Sequence, residues 1–181
     1  MSESFQIIEG SITAPRGFRA AGVFCDIKRM GKGTLKGRDG EPKRDPKRDL
    51  MLIAADCPAA VAGMFTTNQV CAAPVKVSLR HARRARARAI VANSGNANAC
   101  TGEQGMRDAE AMVRATAQAL DLPEHDVLVC STGRIGLPMP MDRVESGIRA
   151  AAGQLSGSRA AAAAAAEAIM TSDSVAKEVA V

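Results

Sequence analysis

Three short segments combine small, hydroxyl and amide residues in a way that could serve chemistry. Ser131-Thr132-Gly133-Arg134-Ile135-Gly136 directly follows the apolar run Val127 to Cys130. A strand that ends in small and hydroxyl residues leaves main-chain amides unpaired at its tip. Such amides, held about 2.7–3.1 Å from a developing negative charge, form an oxyanion hole. Asn93-Ser94-Gly95-Asn96-Ala97-Asn98-Ala99-Cys100-Thr101-Gly102 is the second segment. Its small residues let the backbone approach a ligand, and its three asparagines offer amide donors and acceptors. The third, Ile169-Met170-Thr171-Ser172-Asp173-Ser174, closes an alanine-rich run with hydroxyls and a carboxylate, which gives it substrate-contact potential. Each has a plainer reading that local composition favours: an ordinary turn, a connection built on Asx turns, and a solvated helix end.

Other constellations are weaker. Cys130 or Cys100 served by His125 is a conceivable nucleophile pair, but Leu122-Pro123-Glu124-His125-Asp126 reads as a polar turn carrying a surface histidine. The five cysteines, Cys25, Cys57, Cys71, Cys100 and Cys130, form no C-x-x-C pair and make no zinc-like spacing with His81 and His125. They read as reduced, mostly buried thiols, and no metal site is expected. No G-x-S-x-G, phosphate-binding loop or dinucleotide fingerprint is present.

The elements that must position these segments follow from pattern and composition. The 181 residues are 46% hydrophobic and 24% charged with a net charge of +5, which suits one domain and excludes wholesale disorder or a collagen-like chain. No apolar run approaches the roughly 18 residues of a membrane span. Met1-Ser2-Glu3-Ser4-Phe5 resembles no leader, so a soluble cytoplasmic chain is expected. With no Trp, no Tyr and four Phe, stacking platforms for bases are nearly absent, which argues against nucleic acid despite the positive charge. Residues 11–30 read as extended. Leu50 to Ala55, Ala60 to Phe65, Val75 to Leu79, Ala89 to Ala92 and Val127 to Cys130 read as short buried strands. Apolar residues at three- and four-residue spacing predict a helix from Gly105 to Leu120, stopped by Pro123. Asp142 and Glu145 form a D-x-x-E capping pattern for a second helix, and Ala160 to Met170 is a third. Two basic tracts, Arg80 to Arg88 spread around a helix and Lys28 to Arg48 with Asp26 and Asp49 flanking it, read as solvated surface. Strands interspersed with helices predict an α/β or α+β domain.

Taken in order, Gly10 to Phe18, Asp49-Leu50-Met51-Leu52-Ile53, Met64-Phe65-Thr66-Thr67-Asn68, Ala72-Ala73-Pro74-Val75, Asn93 to Gly102, Ser131 to Gly136 and Ala168 to Ser174 form one series. This series closely resembles the bifunctional ornithine acetyltransferase / N-acetylglutamate synthase family of arginine biosynthesis, from about Gly10 to Lys177. The resemblance implies an α/β layered sandwich of sheet and helices over residues 1–181, the α-chain portion of a precursor that cleaves itself. The N-terminal Thr of the resulting β chain becomes the nucleophile, its freed α-amine acting as base. Acetyl passes from N-acetylornithine to that Thr and then to glutamate. Acetyl-CoA is a second donor in many members, and no metal or prosthetic group is needed. An α2β2 heterotetramer in the cytoplasm is implied. Thr132 and Gly133 match the oxyanion-hole pair and Thr171 a substrate-contacting Thr.

Departures from the family pattern set further expectations. The family's Gly-rich stretch with a substrate-binding Lys and its Ala-Thr cleavage site would lie beyond Val181. Ala115-Thr116, the sole Ala-Thr pair, sits inside the best amphipathic helix, so the chain carries the oxyanion half of the site without a nucleophile. Alone it is expected to be inactive and to lack the β chain that would cover its sheet. Residues 31–48 read as a flexible, solvated insertion. Arg134 stands where an aliphatic residue is usual, and Asp26 where a Gly is expected. The rival reading is a non-catalytic remnant or binding module; a basic nucleic-acid binder rests on Arg80 to Arg88 alone.

Overall fold

The computed structural model describes residues 5–28 and 47–181. The expected insertion at 31–48 falls outside them, apart from Lys47 and Arg48. The elements are β1 (Phe18–Val23), β2 (Leu50–Ala60), α1 (Ala73–Ala82), β3 (Arg86–Asn96), α2 (Gly102–Leu120), a 3-10 turn (Glu124–Asp126), β4 (Val127–Arg134), α3 (Met141–Gly153) and α4 (Arg159–Ile169). The strands form one sheet in the order β1-β2-β3-β4. β1 and β2, and β2 and β3, pair antiparallel, whereas β3 and β4 pair parallel through the α2 crossover.

Residue alternation explains the layers. Ala21, Val23, Leu50, Leu52, Ala89, Val91, Val127 and Val129 face a core shared with α1, α2 and α3. Their neighbours Ala20, Met51 and Ala92 face the opposite way, against Ala165 and Ala168 of α4. An α/β/α sandwich results. Alanines suit α4 because it lies very close to the sheet: a Cβ on Gly22 would sit 2.0 Å from the Ala164 carbonyl oxygen. The Ser158 hydroxyl caps this helix by accepting from the Ala161 amide at 3.2 Å.

Several local expectations are corrected. Val75 to Leu79 is helical, not a strand, because Pro74 starts a turn that buries Pro74, Val77, Ser78 and His81 at three- and four-residue spacing. Ala60 ends β2, and the chain through Phe65 carries no strand. Arg80 to Arg88 is not one helix: α1 ends at Ala82, Ala85 turns with φ +55°, and Arg86 begins β3. Asp142 and Glu145 make no capping box, since α3 starts at Met141 behind Pro140 and Asp142 lies within its first turn. None of the five free cysteines is fully buried; Cys25 and Cys71 are half-buried and Cys57, Cys100 and Cys130 exposed. No helix among the described residues is long and apolar enough to cross a membrane.

Candidate functional site

The C-terminal ends of β3 and β4 meet at one end of the sheet, where the polar segments converge. Asn93–Asn96 are not a connecting turn but the last residues of β3, in register with β4 as Asn93 with Ser131, Ser94 with Thr132 and Gly95 with Gly133. The asparagines are engaged by the protein itself. Asn93 accepts from the Ser131 hydroxyl at 2.6 Å and donates to the Asn96 carbonyl at 2.9 Å. Asn96 donates to the carbonyls of Leu137 (3.1 Å) and Pro138 (2.9 Å) and accepts from the Asn98 amide at 2.8 Å. Asn98, at φ +47°, donates to the Gly105 carbonyl at 2.8 Å and accepts from the Thr101 hydroxyl at 2.7 Å. All three are buried, so they brace the site instead of presenting free amides to a ligand.

Thr132 and Gly133 are the exposed counterpart. They lie near the end of β4, an edge strand whose outer side no other strand pairs among the described residues. Gly133 has φ +134°, and a Cβ there would sit 2.4 Å from the carbonyl carbon of Gly95. Gly95, at φ +106°, is itself pressed against Lys28, whose Cα is 2.7 Å from where its Cβ would be. Two glycines therefore let three backbone segments stack at this end. Thr132 makes no side-chain hydrogen bond among the described residues. The residue is exposed.

The segment stacked on Gly95 is held by a residue that sequence reasoning passed over. The sequence places Asp49 as the flank of a solvated charged tract, yet it is fully buried. Its carboxylate accepts the amides of Cys25 (2.7 Å), Ile27 (2.7 Å) and Lys28 (3.1 Å). The signal available was its position directly before the apolar run of β2, at odds with a solvated flank. Asp26 in the same turn has φ +64°, the left-handed region that favours glycine, which accounts for the Gly expected there. Burial, with Asp49 beside it, pushes the Cys25 thiol far above its ordinary range.

Thr171 lies two residues after α4 and is exposed, its amide 3.4 Å from the Asp173 carboxylate. Among the described residues no hydrogen bond joins it to Thr132 or Gly133. The end of α4 does reach the same sheet end, because Ala168 accepts from the Ser94 hydroxyl. The Cys–His pair is not assembled. His125 sits in the 3-10 turn before β4 beside Asp126, at 3.6 Å. Cys130 is about 10 Å of strand beyond Val127, and Cys100 lies at the opposite end of the sheet. Desolvation also raises the Cys130 thiol, opposite to what a nucleophile needs.

Comparison with known proteins decides the family. Residues 35–181 match the ArgJ family. The chain belongs to that family. It is 50% identical over 173 residues to the arginine biosynthesis bifunctional protein ArgJ of Symbiobacterium thermophilum, covering 96% of this chain and 39% of the relative. The Caldanaerobacter subterraneus ArgJ is 47% identical, covering 97% of this chain and 39% of the relative. This ArgJ-family chain therefore spans about two fifths of the curated relatives' length. Its fold matches the crystal structure of Bacillus halodurans ArgJ with TM-score 0.82 and 37% identity, covering 94% of this chain and 81% of that one. The Mycobacterium tuberculosis ornithine acetyltransferase, solved with ornithine, matches with TM-score 0.82 and 39% identity, covering 94% and 84%. The layered α/β architecture is thus that of the ornithine acetyltransferases.

Proposed function

We propose that this chain is the α-chain portion of an acetyltransferase that moves acetyl from N-acetylornithine to glutamate, with acetyl-CoA a further candidate donor. The exposed Thr132–Gly133 pair, closed on Gly95 at the end of an edge strand, is the observation that carries this reading. The nucleophile is the N-terminal Thr of a β chain outside these 181 residues. Its hydroxyl attacks the acetyl carbonyl while its α-amine takes the proton. Thr132 and Gly133 donate to the oxyanion of the tetrahedral intermediate, whose collapse releases ornithine, the proton passing to the leaving amine. The neutral amine of glutamate then attacks the acetyl-Thr ester, forming N-acetylglutamate and restoring the Thr hydroxyl. Thr171 contacts substrate, and no resident cofactor takes part.

A β chain also suits the part of the α4-side sheet face where Ile53, Ile90 and Leu128 are only half-buried. Phe18, Ile53, Ile90 and Leu128 line an apolar hollow of about 120 Å³ there. Binding of ornithine, the product of the first half-reaction, is supported by the ornithine-bound mycobacterial relative.

The test is the native protein isolated from its source. Intact mass, N-terminal sequencing of anything bound, and an assay with N-acetylornithine and glutamate are made on the same material. A bound chain beginning with Thr, ping-pong kinetics and an acetylated Thr are expected, with no turnover by the 181-residue chain alone. A lone chain near 18.8 kDa without turnover would identify an inactive remnant, and turnover by that lone chain would refute the shared-site mechanism.

A further inference from the structure

Arg134 immediately follows the Thr132–Gly133 pair, and its environment differs from that of the other arginines. Among the described arginines, only Arg88 and Arg134 are half-buried; the others are exposed. Arg88 is committed to the protein, its guanidinium donating to the carbonyls of Ala55 and Asp56. Arg134 has one long contact, Nε to the Gly95 carbonyl at 3.4 Å, and no carboxylate partner among the described residues. By contrast Arg19, Arg48, Arg80, Arg143 and Arg159 all pair with acidic side chains.

A half-buried guanidinium has lost part of its hydration, and its charge calls for a counter-charge. The Gly95 carbonyl is the atom group against which Gly133 packs, so the Arg134 guanidinium and the Gly133 backbone converge on the same residue. The contact uses Nε and leaves both terminal nitrogens of the fork without a partner. That edge of a guanidinium matches a carboxylate, which can accept two parallel hydrogen bonds. From this arrangement we infer that Arg134 binds the carboxylate of the amino-acid substrate and so determines specificity beside the oxyanion pair. The inference rests on the acetyl-transfer reading above. Two carboxylates qualify: the α-carboxylate common to N-acetylornithine and glutamate, and the side-chain carboxylate of glutamate alone.

The experiment compares Arg134→Leu and Arg134→Lys with the unaltered enzyme in the assembled protein, measuring KM and kcat for both substrates. Losing a charge-assisted pair predicts a KM raised about 10- to 100-fold in Arg134→Leu with kcat changed by less than about threefold. Arg134→Lys keeps the charge without the fork and falls between. A rise for both substrates assigns the α-carboxylate, and a rise for glutamate alone assigns the side-chain carboxylate. Unchanged KM values overturn the inference. Weakened assembly with unchanged KM overturns it too, making Arg134 an interface residue. Should the assembled protein show no turnover, the acetyl-transfer reading fails by itself, and calorimetric titration with glutamate and with ornithine still decides about Arg134. Binding weakened about 10-fold or more in Arg134→Leu sustains the carboxylate contact; equal binding, or none by the unaltered protein, overturns it.

Discussion

The Ser94 hydroxyl donates a 2.5 Å hydrogen bond to the carbonyl of Ala168, 74 residues further along the chain. Ser94 is fully buried and pairs with Thr132 across the β3–β4 ladder, while Ala168 lies in the last turn of α4. One bond thus fixes the exit of α4, and the Thr171 segment after it, to the strand that supports Thr132 and Gly133. It also satisfies one of the carbonyls that a helix C-terminus leaves without an intrahelical partner.

Ser94→Ala removes the donor and leaves that carbonyl buried and unpaired. A loss of about 1–3 kcal/mol is expected in urea unfolding of the chain. Hydrogen exchange should quicken in the last turn of α4 more than in α2. An unfolding midpoint equal to that of the unaltered chain would show that Ala168 finds water instead.

Gly133→Ala places a methyl 2.4 Å from Gly95 backbone at a φ of +134°. Strain of at least about 1–3 kcal/mol should follow, and β4 must shift away from β3. In the assembled enzyme kcat should fall by about 10²- to 10³-fold, as when an oxyanion-hole donor is lost. A variant with full kcat would remove Gly133 from the acyl site.

Asp49→Asn keeps the shape of the buried carboxylate but turns one acceptor into a donor facing backbone amides. The carboxylate accepts three amides, so a cost of about 2–4 kcal/mol is expected, measurable by thermal unfolding. Asp26→Gly in the same turn, at φ +64°, is expected to be far milder because glycine adopts that backbone freely. Equal losses for the two variants would contradict the role given to the Asp49 cradle.

Thiol labelling separates the cysteines. Cys57 and Cys100 are exposed, whereas burial and the neighbouring Asp49 keep Cys25 protonated far above neutral pH. Brief alkylation of the folded chain at pH 7.5, read by peptide mass spectrometry, should modify Cys57 and Cys100 well before Cys25. Early modification of Cys25 would mean that the Asp49 turn opens readily.

Acid should loosen the C-terminal tail. The Ser11 hydroxyl and the Arg159 guanidinium hold the Glu178 carboxyl below its ordinary value. Its ionised form therefore stabilises the fold above the unfolded value, and that contribution disappears as pH falls through the lower, folded one. Protection of the Ile8 amide, which donates to the Ala180 carbonyl at 3.0 Å, should fall across that acid range relative to the same amide in the unfolded chain. Glu178→Gln should remove that pH-linked loss of protection; an unchanged protection profile would place the acid sensitivity elsewhere.

Local sequence determined the features whose physics is local. The α2 stripe of Ala109, Met112, Val113 and Thr116 is set by the 3.6-residue period, and the alanines of Ala160 to Met170 favour helix in any context. The order of the motifs also sufficed for the family. Tertiary structure decided what depends on partners distant in the chain. Val75 to Leu79 alternates well enough for a strand, and its helical state follows from burying Val77, Ser78 and His81 against β4, where Ser78 and His81 bond to the Val129 and Val127 carbonyls. Asp49 looks like any charged flank until three amides from residues 21 to 24 positions earlier close on it. The asparagines suit an ordinary Asx-turn connection or, less readily, a ligand, and only the fold decides that Ser131, Leu137 and Pro138 occupy two of them. A composition states which hydrogen bonds a residue can make; the folded chain decides which of them are already taken.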